Sequence, residues 1–375
     1  MASLCRLLAA VTIIAASEVR ADVAVHVGVF LAGGDRDGVE ASELRKGAEL
    51  AAEECGGTCP LIAAANAGQW NAGAGELVRL VYSEGIGGVL GPVDSRSAHV
   101  AEQVVARAKG RFLLLTPWAS DPALTRIKVP WFFRLVPDDT HQAEALVTEI
   151  YGAGAVHTLA AVIAQSDYDS RIAAETFETV AGARGLPALR KIALTADAAS
   201  LDSLVADVRN ARPEAVIIFA PSAAAARALR RLRAAGVTAP FFGPLQLASP
   251  TFLDPAAEAA EGMVLAAPEE ACGPAAERFR ARYGTPLSAP AAYGYDGAAV
   301  LIDALRSTGS GEIEALRCAL AATRRAGLTG RIEFDASGSR LGPAPLSRVE
   351  RGHLRPLRGD QRRPDPSTTE HVSIR

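Results

Sequence analysis

Short apolar runs alternate with longer amphipathic stretches along the first third of the chain. Runs of this kind indicate strands that are covered on both faces of a sheet, whereas apolar residues at three- and four-residue spacing indicate helices. The predicted strands are 23–30, 60–66, 87–92 and 112–117. The predicted helices between and after them are 40–54, 70–83 and 95–109.

A second alternation follows a break at 129–139, an extended segment flanked by prolines and without a helical period. Strands are predicted at 158–164, 188–194, 215–220 and near Phe241, and helices at 141–151, 169–184, 200–210 and 222–235. Strands separated by helices are typical of parallel sheets, so we predict an α/β fold and interpret 129–139 as a crossing between two lobes. The last third predicts helices at 274–283, 290–307 and 313–326 and a strand at 330–335.

Length and composition agree with two globular domains. The chain has 375 residues, more than one hydrophobic core usually holds, and 49% of them are apolar. The net charge of −3 gives no electrostatic footprint for nucleic acid, which is therefore not an expected partner. From Arg351 the sequence is polar and rich in proline and arginine, so we expect residues 351–375 to form a disordered tail.

The N-terminus is typical of a signal peptide, which we assign to residues 1–21. An apolar stretch at 7–16 precedes Val19 and Ala21, which occupy the small-residue positions of a cleavage site. Ten apolar residues are too few to span a bilayer. We expect a mature chain that begins near Asp22 and is exported.

Cysteine usage fits export. Cys55 and Cys59 bracket a flexible Gly-containing turn and are the favoured disulfide pair, whereas Cys272 and Cys318 are a weaker candidate pair. Neither the cysteine nor the histidine spacing supplies four zinc ligands, so no metal site is expected.

Catalytic motifs are missing from the sequence. It contains no G-x-S-x-G elbow, no P-loop and no H-E-x-x-H, and its six histidines have no triad or metal spacing. Gly152 and Gly154 follow a predicted helix and precede a strand, the reverse of the order in a dinucleotide-binding loop. We therefore expect neither an enzyme nor a bound cofactor.

Two neighbouring strand ends carry the candidate site, because ligands of open parallel sheets bind beyond the carboxyl ends of the strands. After the third predicted strand, Ser95 is placed as the N-cap of a helix whose free N–H groups attract anions. The fourth strand ends by presenting Trp118, Ala119 and Ser120. We predict a cleft there that holds a small carboxylate. A structural cap at Ser95 and a packing role for Trp118 remain alternatives.

Several segments, in order, resemble one family. They include "GIGGVLGPVDSRSA", "LLTPWASDPALT", "FFRLVPDD" and "AYGYDGAAVLIDALRSTGS". Together they resemble the leucine/isoleucine/valine-binding family of ABC-transporter periplasmic solute-binding proteins, across most of residues 22–345. The resemblance implies the type I periplasmic-binding fold, with two Rossmann-like lobes and three hinge crossings. The implied bounds are 22–134 plus 268–330 for lobe 1 and 135–267 plus 331–350 for lobe 2, with crossings near 133–137, 262–268 and 328–335.

The resemblance also implies roles for single residues. Ser95 falls where a serine binds the ligand carboxylate, and Ser120 where a hydroxyl holds both carboxylate and ammonium. Trp118 falls where a backbone carbonyl meets the ammonium, Tyr168 where an aromatic closes over the ligand, and Ser222 at a strand end of the second lobe. The complete expected set is Ser95, Trp118, Ala119, Ser120, Tyr168, Ser222 and Gln246.

One departure bears on the ligand. In amino-acid binders of this family an acidic residue follows the Gly-Pro pair, but here Gly243-Pro244 is followed by Leu245 and Gln246. A buried ammonium without a carboxylate partner is costly, so we expect an acid lacking the amine to bind nearly as well as its amino acid. Asp121 and Asp169 are the candidate replacements for the missing acid.

The resemblance implies a periplasmic binding protein that captures a small carboxylate-bearing or amino-acid-like ligand. It would be a monomer that delivers this ligand, without turnover, to an ABC transporter permease in the inner membrane. The alternative is a sensor or accessory subunit of the same fold that regulates a partner instead of feeding a transporter.

Overall fold

The computed structural model describes residues 26–31, 38–55, 59–63, 70–152, 154, 156–195, 200–308 and 312–357. The predicted signal peptide and the end of the predicted tail, 358–375, lie outside the described residues. The strands are β1 Val27–Val29, β2 Leu61–Ala63, β3 Gly88–Leu90, β4 Leu113–Thr116, β5 Phe132–Arg134, β6 Leu159–Ile163, β7 Arg190–Ala193, β8 Ala215–Phe219, β9 Phe241–Gly243, β10 Val264–Leu265, β11 Arg325–Gly327, β12 Gly330–Ile332, β13 Ser347–Glu350 and β14 His353–Pro356.

Helices occupy most of the chain between these strands. They are α1 Val39–Glu54, α2 Trp70–Tyr82, α3 Ser95–Arg107, α4 Ala123–Arg126, α5 Asp139–Tyr151, α6 Tyr168–Ala183, α7 Ser200–Ala211, α8 Ser222–Ala234, α9 Pro250–Ala256, α10 Pro274–Tyr283, α11 Ala289–Thr308 and α12 Ile313–Ala321. Short 3-10 turns follow β9 and α9. Among the described residues, no helix combines the length and apolarity needed to cross a membrane.

The strands form two main sheets. The first sheet has the order β2-β1-β3-β4-β5, and all its strands are parallel. The second sheet has the order β14-β13-β10-β9-β8-β6-β7. Strand β13 pairs antiparallel with both β10 and β14, and the other pairs are parallel. A small hairpin of β11 and β12 stands apart from both. The predicted α/β class with mostly parallel sheets is confirmed.

Both faces of each parallel sheet are covered, which explains the apolar runs in the sequence. In β4, Leu113 and Leu115 belong to the hydrophobic cluster on one face of the first sheet, and Leu114 to the cluster on the other. All three leucines are fully buried. In β6, Val162 and Ala161 divide in the same way between the two faces of the second sheet. This double burial is typical of strands joined by helical crossovers.

Helix α11 returns the chain to the first sheet and packs closely on α1. A Cβ atom at Gly47 of α1 would lie 1.8 Å from the carbonyl oxygen of Ala291, and one at Gly294 would lie 2.0 Å from that of Leu44. Only glycine permits this approach of the two backbones. The last third of the chain therefore completes the layer that the first third began.

Within the described residues, the chain changes layers between β5 and α5 and between β10 and α10, and a third connection leads from the separate β11–β12 hairpin to β13 of the second sheet. Arg134, at the end of β5, is fully buried and ties two of these crossings together. Its guanidinium donates to Asp138 Oδ2 at 2.9 Å and to Ser339 Oγ at 2.6 Å. The backbones are joined as well, because Arg134 N donates to the carbonyl oxygen of Gly338 at 2.9 Å.

The structure corrects three predictions of secondary structure. Segment 129–139 is not only a crossing, since it contains β5, the edge strand of the first sheet. Helix α12 ends at Ala321 instead of 326, because the chain turns into β11 to pair with β12. The tail does not begin at Arg351. Strand β14 pairs with β13 and buries Leu354, so backbone pairing orders a sequence that looked too polar to fold.

The four cysteines that the structure describes form one bonded pair and two separate thiols. Cys55, at the end of α1, is joined to Cys59 by a disulfide, as the spacing predicted. Cys272 and Cys318 are exposed and form no disulfide, so the weaker pairing is wrong.

Candidate functional site

The loop after β3 ends at Asp94, which caps helix α3. The Asp94 backbone is extended, with φ −113° and ψ 162°, and its carboxylate accepts a hydrogen bond from Ser97 N at 2.7 Å. Ser95 is therefore the first helical residue, and its prediction as the N-cap is wrong by one position. Aspartate and serine cap helices about equally well, so the adjacent pair left the register open in the sequence.

Ser95 joins three segments at this edge of the first sheet. It is 2% exposed, and its Oγ accepts a hydrogen bond from Asp121 N at 3.2 Å. Its own N–H, at the positive end of α3, donates to Asp169 Oδ2 at 3.3 Å. Because Asp169 belongs to α6, which packs on the second sheet, this hydrogen bond connects the two layers.

The segment after β4 is almost completely buried. Trp118 is 4% exposed and Ala119 is 1% exposed. The Trp118 indole packs edge to face on Tyr293 of α11, with 5.6 Å between the ring centroids. This contact gives Trp118 the packing role considered above. That Trp118 or Ala119 also contacts a ligand stays a prediction.

Asp121 is the centre of a polar cluster between the two sheets. Its Oδ2 lies 2.8 Å from His99 Nε2 and accepts a hydrogen bond from the Tyr168 hydroxyl at 2.9 Å. Its Oδ1 accepts a hydrogen bond from Ala123 N at 2.8 Å. Tyr168 begins α6, and its ring also stands edge-on to His99 at 6.1 Å. The aromatic residue expected to come from the second lobe thus reaches the first.

Hydrogen bonds set the protonation states of His99 and Asp121 in this cluster. Hydrogen bonds to Asp121 and Glu102 raise the pKa of His99 to about 9. Burial acts to raise the pKa of Asp121, but hydrogen bonds from His99, the Ala123 amide and Tyr168 outweigh it and hold that pKa below its ordinary value. Burial raises the pKa of Glu102. At neutral pH, His99 is an imidazolium paired with the Asp121 carboxylate.

Gln246 makes a second connection between the layers. Its Nε2 donates to Ser120 Oγ at 2.7 Å, and its backbone carbonyl oxygen accepts from Ser222 Oγ at 3.0 Å. The neighbouring Leu245 is fully buried, and its N–H donates to Gln142 Oε1 at 2.9 Å. Three predicted site residues, Ser120, Ser222 and Gln246, are therefore linked in one chain of hydrogen bonds.

Asp139, which the sequence did not single out, lies beneath Ser120. It is 4% exposed, and its N–H donates to the Ser120 carbonyl oxygen at 2.9 Å. Burial raises the pKa of Asp139 to about 7 and that of Asp169 to about 8. Each carboxyl group keeps one buried oxygen, Oδ1, that has no hydrogen-bond partner among the described residues.

The structure thus brings together Ser95, Ser120, Tyr168, Ser222 and Gln246 at the facing edges of the two sheets. His99 was missed, although it stands four residues after Ser95, on the same face of α3. The arrangement presents hydroxyls, an amide and carboxylates from both layers, which suits it to holding a small polar molecule. Across the residues that the structure describes, no group of three or more metal-ligating side chains is placed to bind a metal ion.

A model of the periplasmic binding protein family matches residues 28–350, a span that includes every strand from β3 to β13 and both sides of the site. The chain belongs to the periplasmic binding protein family. No curated protein matches its sequence at a significant level. The resemblance to solute-binding proteins of this type is therefore confirmed at the level of the family.

Solved structures of binding proteins share the fold. The leucine-binding protein LivK from Thermotoga maritima aligns with a TM-score of 0.77 and 20% identity, over 88% of this chain and 97% of that one. LivJ from Streptococcus pneumoniae, in complex with isoleucine, aligns at 0.76 and 17%, over 88% and 97%. A solute-binding protein from R. palustris in complex with benzoate aligns at 0.77 and 19%, over 89% and 95%. All three are ABC transporter binding proteins or amino-acid binding proteins by name.

Proposed function

We propose that the protein is the exported solute-binding component of an ABC importer. It captures a small carboxylate-bearing or amino-acid-like ligand between two lobes and delivers it to a permease at the inner membrane. The observation that carries this proposal is the pair of hydrogen bonds that join the sheets at their carboxyl edges. Tyr168 donates to Asp121, and Gln246 donates to Ser120.

The two lobes correspond to the two sheets with their helices. Lobe 1 is the first sheet with its helices and comprises 22–134 and, with α10 to α12, 268–330. Lobe 2 is the second sheet with its helices and comprises 135–267 and, with β13, 331–350. The three connections between the sheets support hinges at those places, because a few residues at the ends of elements are enough to absorb lobe closure. We place the protein in the periplasm, as a monomer without a cofactor.

The ligands of two relatives of known structure support a small ligand for this protein. One is in complex with isoleucine and another with benzoate. Both molecules are small, with an apolar body and a carboxylate. We therefore propose that a ligand of this size binds between Ser95, Ser120 and Tyr168, in exchange for hydrogen bonds that now cross the cleft.

A thermal-shift screen of the mature chain tests the proposal. The compounds are amino acids, their amine-free acids, aromatic acids and amides. A true ligand at 100 times its dissociation constant adds roughly 2.7 kcal/mol to the free energy of unfolding. We expect at least one such ligand and a smaller stabilisation in the Ser120→Ala variant. Equal stabilisation of both proteins by every hit would place binding outside this cleft and contradict the proposal.

A further inference from the structure

A second pocket lies outside the cleft, beside the edge strand of the first sheet. Its volume is about 420 Å³. Sites for small molecules usually measure roughly 300–1,000 Å³, so the pocket is large enough for one. Three parts of the chain line it: residues 128–131, which lead into β5, Glu314 and Arg317 of α12, and residues 336–338 in the connection from β12 to β13. The residues of the cleft are not among those that line this pocket.

The wall that contains Trp131 is fixed by the first sheet. Leu114 N, in β4, donates to the carbonyl oxygen of Trp131 at 2.9 Å. The indole ring lies against Gly110, where a Cβ atom would come within 2.8 Å of it. A glycine at this position permits the close approach of ring and backbone. The ring therefore has one defined position in the wall of the pocket.

A second wall is the turn that follows Asp335. Asp335 Oδ1 accepts hydrogen bonds from Ser337 N at 2.8 Å and from Ser337 Oγ at 2.7 Å. The Gly338 carbonyl oxygen accepts from Arg134 N at 2.9 Å, and a Cβ atom at Gly338 would lie 2.4 Å from the Phe132 carbonyl oxygen. This turn is therefore attached to β5, the strand that Trp131 precedes, and the pocket is largely pre-formed.

The charged groups of the pocket leave one cation in excess. Lys128 is exposed, and within the described part of the chain its ammonium group has no hydrogen bond or ion pair. Arg317 donates to Glu314 Oε1 from Nε at 2.8 Å and from Nη2 at 2.5 Å, which leaves its Nη1 without a partner among the described residues. The one carboxylate in the lining thus already has its cation. A pocket with surplus positive charge attracts an anion.

We propose that this pocket is a second binding site, which takes a small monoanion with a flat apolar body, such as an arene carboxylate. The site goes beyond the proposed function and does not depend on it. The carboxylate lies beside Lys128 and Nη1 of Arg317, and the apolar body packs against Trp131 and Pro130. Aromatic side chains supply apolar area and preferred ring geometries, whereas the few charged groups fix the orientation of the ligand.

Three compounds test the ligand class: benzoate, its neutral analogue benzamide, and acetate. The readout is fluorine NMR of protein that carries 5-fluorotryptophan. The chain has 3 tryptophans, and Trp131→Phe, Trp70→Phe and Trp118→Phe assign their resonances. We expect benzoate to shift the Trp131 resonance saturably and to bind at least about threefold more tightly than benzamide, the contribution of an exposed ion pair. Acetate should bind more weakly than benzoate because it lacks the apolar body.

Two lysine variants locate the site. Lys128→Glu reverses the charge in the pocket and should weaken benzoate binding by about fivefold. Lys109→Glu is the matched control, because Lys109 is also exposed but does not line the pocket. Each lysine stands two residues beyond the end of a helix with a left-handed backbone, at φ 47° for Lys109 and φ 56° for Lys128. Lys109→Glu should bind benzoate like the wild type. Ser120→Ala alters the cleft and should leave the Trp131 titration unchanged.

Each outcome decides the proposal. Benzamide that binds as tightly as benzoate would show that the pocket does not select an anion. A Trp131 resonance that none of the compounds moves, or equal losses in the two lysine variants, would show that the pocket is not the site. A shift of Trp131 that disappears in Ser120→Ala would assign the binding to the cleft, which also overturns the proposal. None of these results bears on the proposed function, which the thermal-shift screen tests separately.

Discussion

Tyr168→Phe is the substitution that isolates closure of the cleft. It removes the hydroxyl that donates to Asp121 Oδ2 at 2.9 Å and keeps the ring that stands against His99. A hydrogen bond to a charged acceptor is worth roughly 1.5–3 kcal/mol, and Tyr168 is partly exposed, so the lower end applies. We expect the variant to bind its ligand with about tenfold weaker affinity.

The assay is calorimetric titration of wild type and variant with the tightest binder from the screen. Tyr151→Phe is the matched control. The Tyr151 hydroxyl is buried without a hydrogen-bond partner among the described residues, so its removal costs little. Tyr168→Phe should lose affinity and Tyr151→Phe should not. Equal affinities for the two variants would refute the reasoning that this hydrogen bond holds the lobes together.

Three further predictions follow from the same geometry. Ser95→Ala and Ser120→Ala should each weaken binding by about 1.5–3 kcal/mol in calorimetry, and unchanged affinity in both would argue against the cleft. The contribution of His99 to the free energy of unfolding should fall by about 1 kcal/mol as pH rises from 6.5 through 9. The pKa of His99 is raised from 6.5 to about 9, so its ion pairs stabilise the fold fully below pH 6.5, and this stabilisation is lost as pH rises through 9. Denaturant unfolding of wild type and His99→Gln at several pH values measures this. Reduction of Cys55–Cys59 should cost about 2 kcal/mol, measured by melting with and without reductant against Cys55→Ser.

Much of the fold could be predicted because burial in parallel sheets leaves a strong pattern. The run that became β8 is apolar and buried at every position, and in β4 three buried leucines precede the buried Thr116. Strand β10, of two residues, carries too little sequence for any pattern. Strands β13 and β14 depend on pairing with each other and with β10, which is information that the local sequence does not contain.

The candidate site was predictable only where it follows a strand end. Ser95 and Ser120 stand just after β3 and β4, and the rule for parallel sheets locates both. Asp139 could not be found in that way. It reaches Ser120 only because the crossing after β5 brings the first residue of α5 back beneath the first sheet, and no local signal records that path. The cap of α3 was misassigned because Asp94 and Ser95 are both good capping residues.

Titration of the purified mature chain with the tightest compound of the screen tests the central claim most directly. We predict saturable binding of one ligand per chain, no further heat from turnover, and weaker binding in Ser120→Ala and Tyr168→Phe. A ligand that binds with the same affinity to the wild type and to both variants would contradict the claim that these residues of the two facing sheets form the binding site.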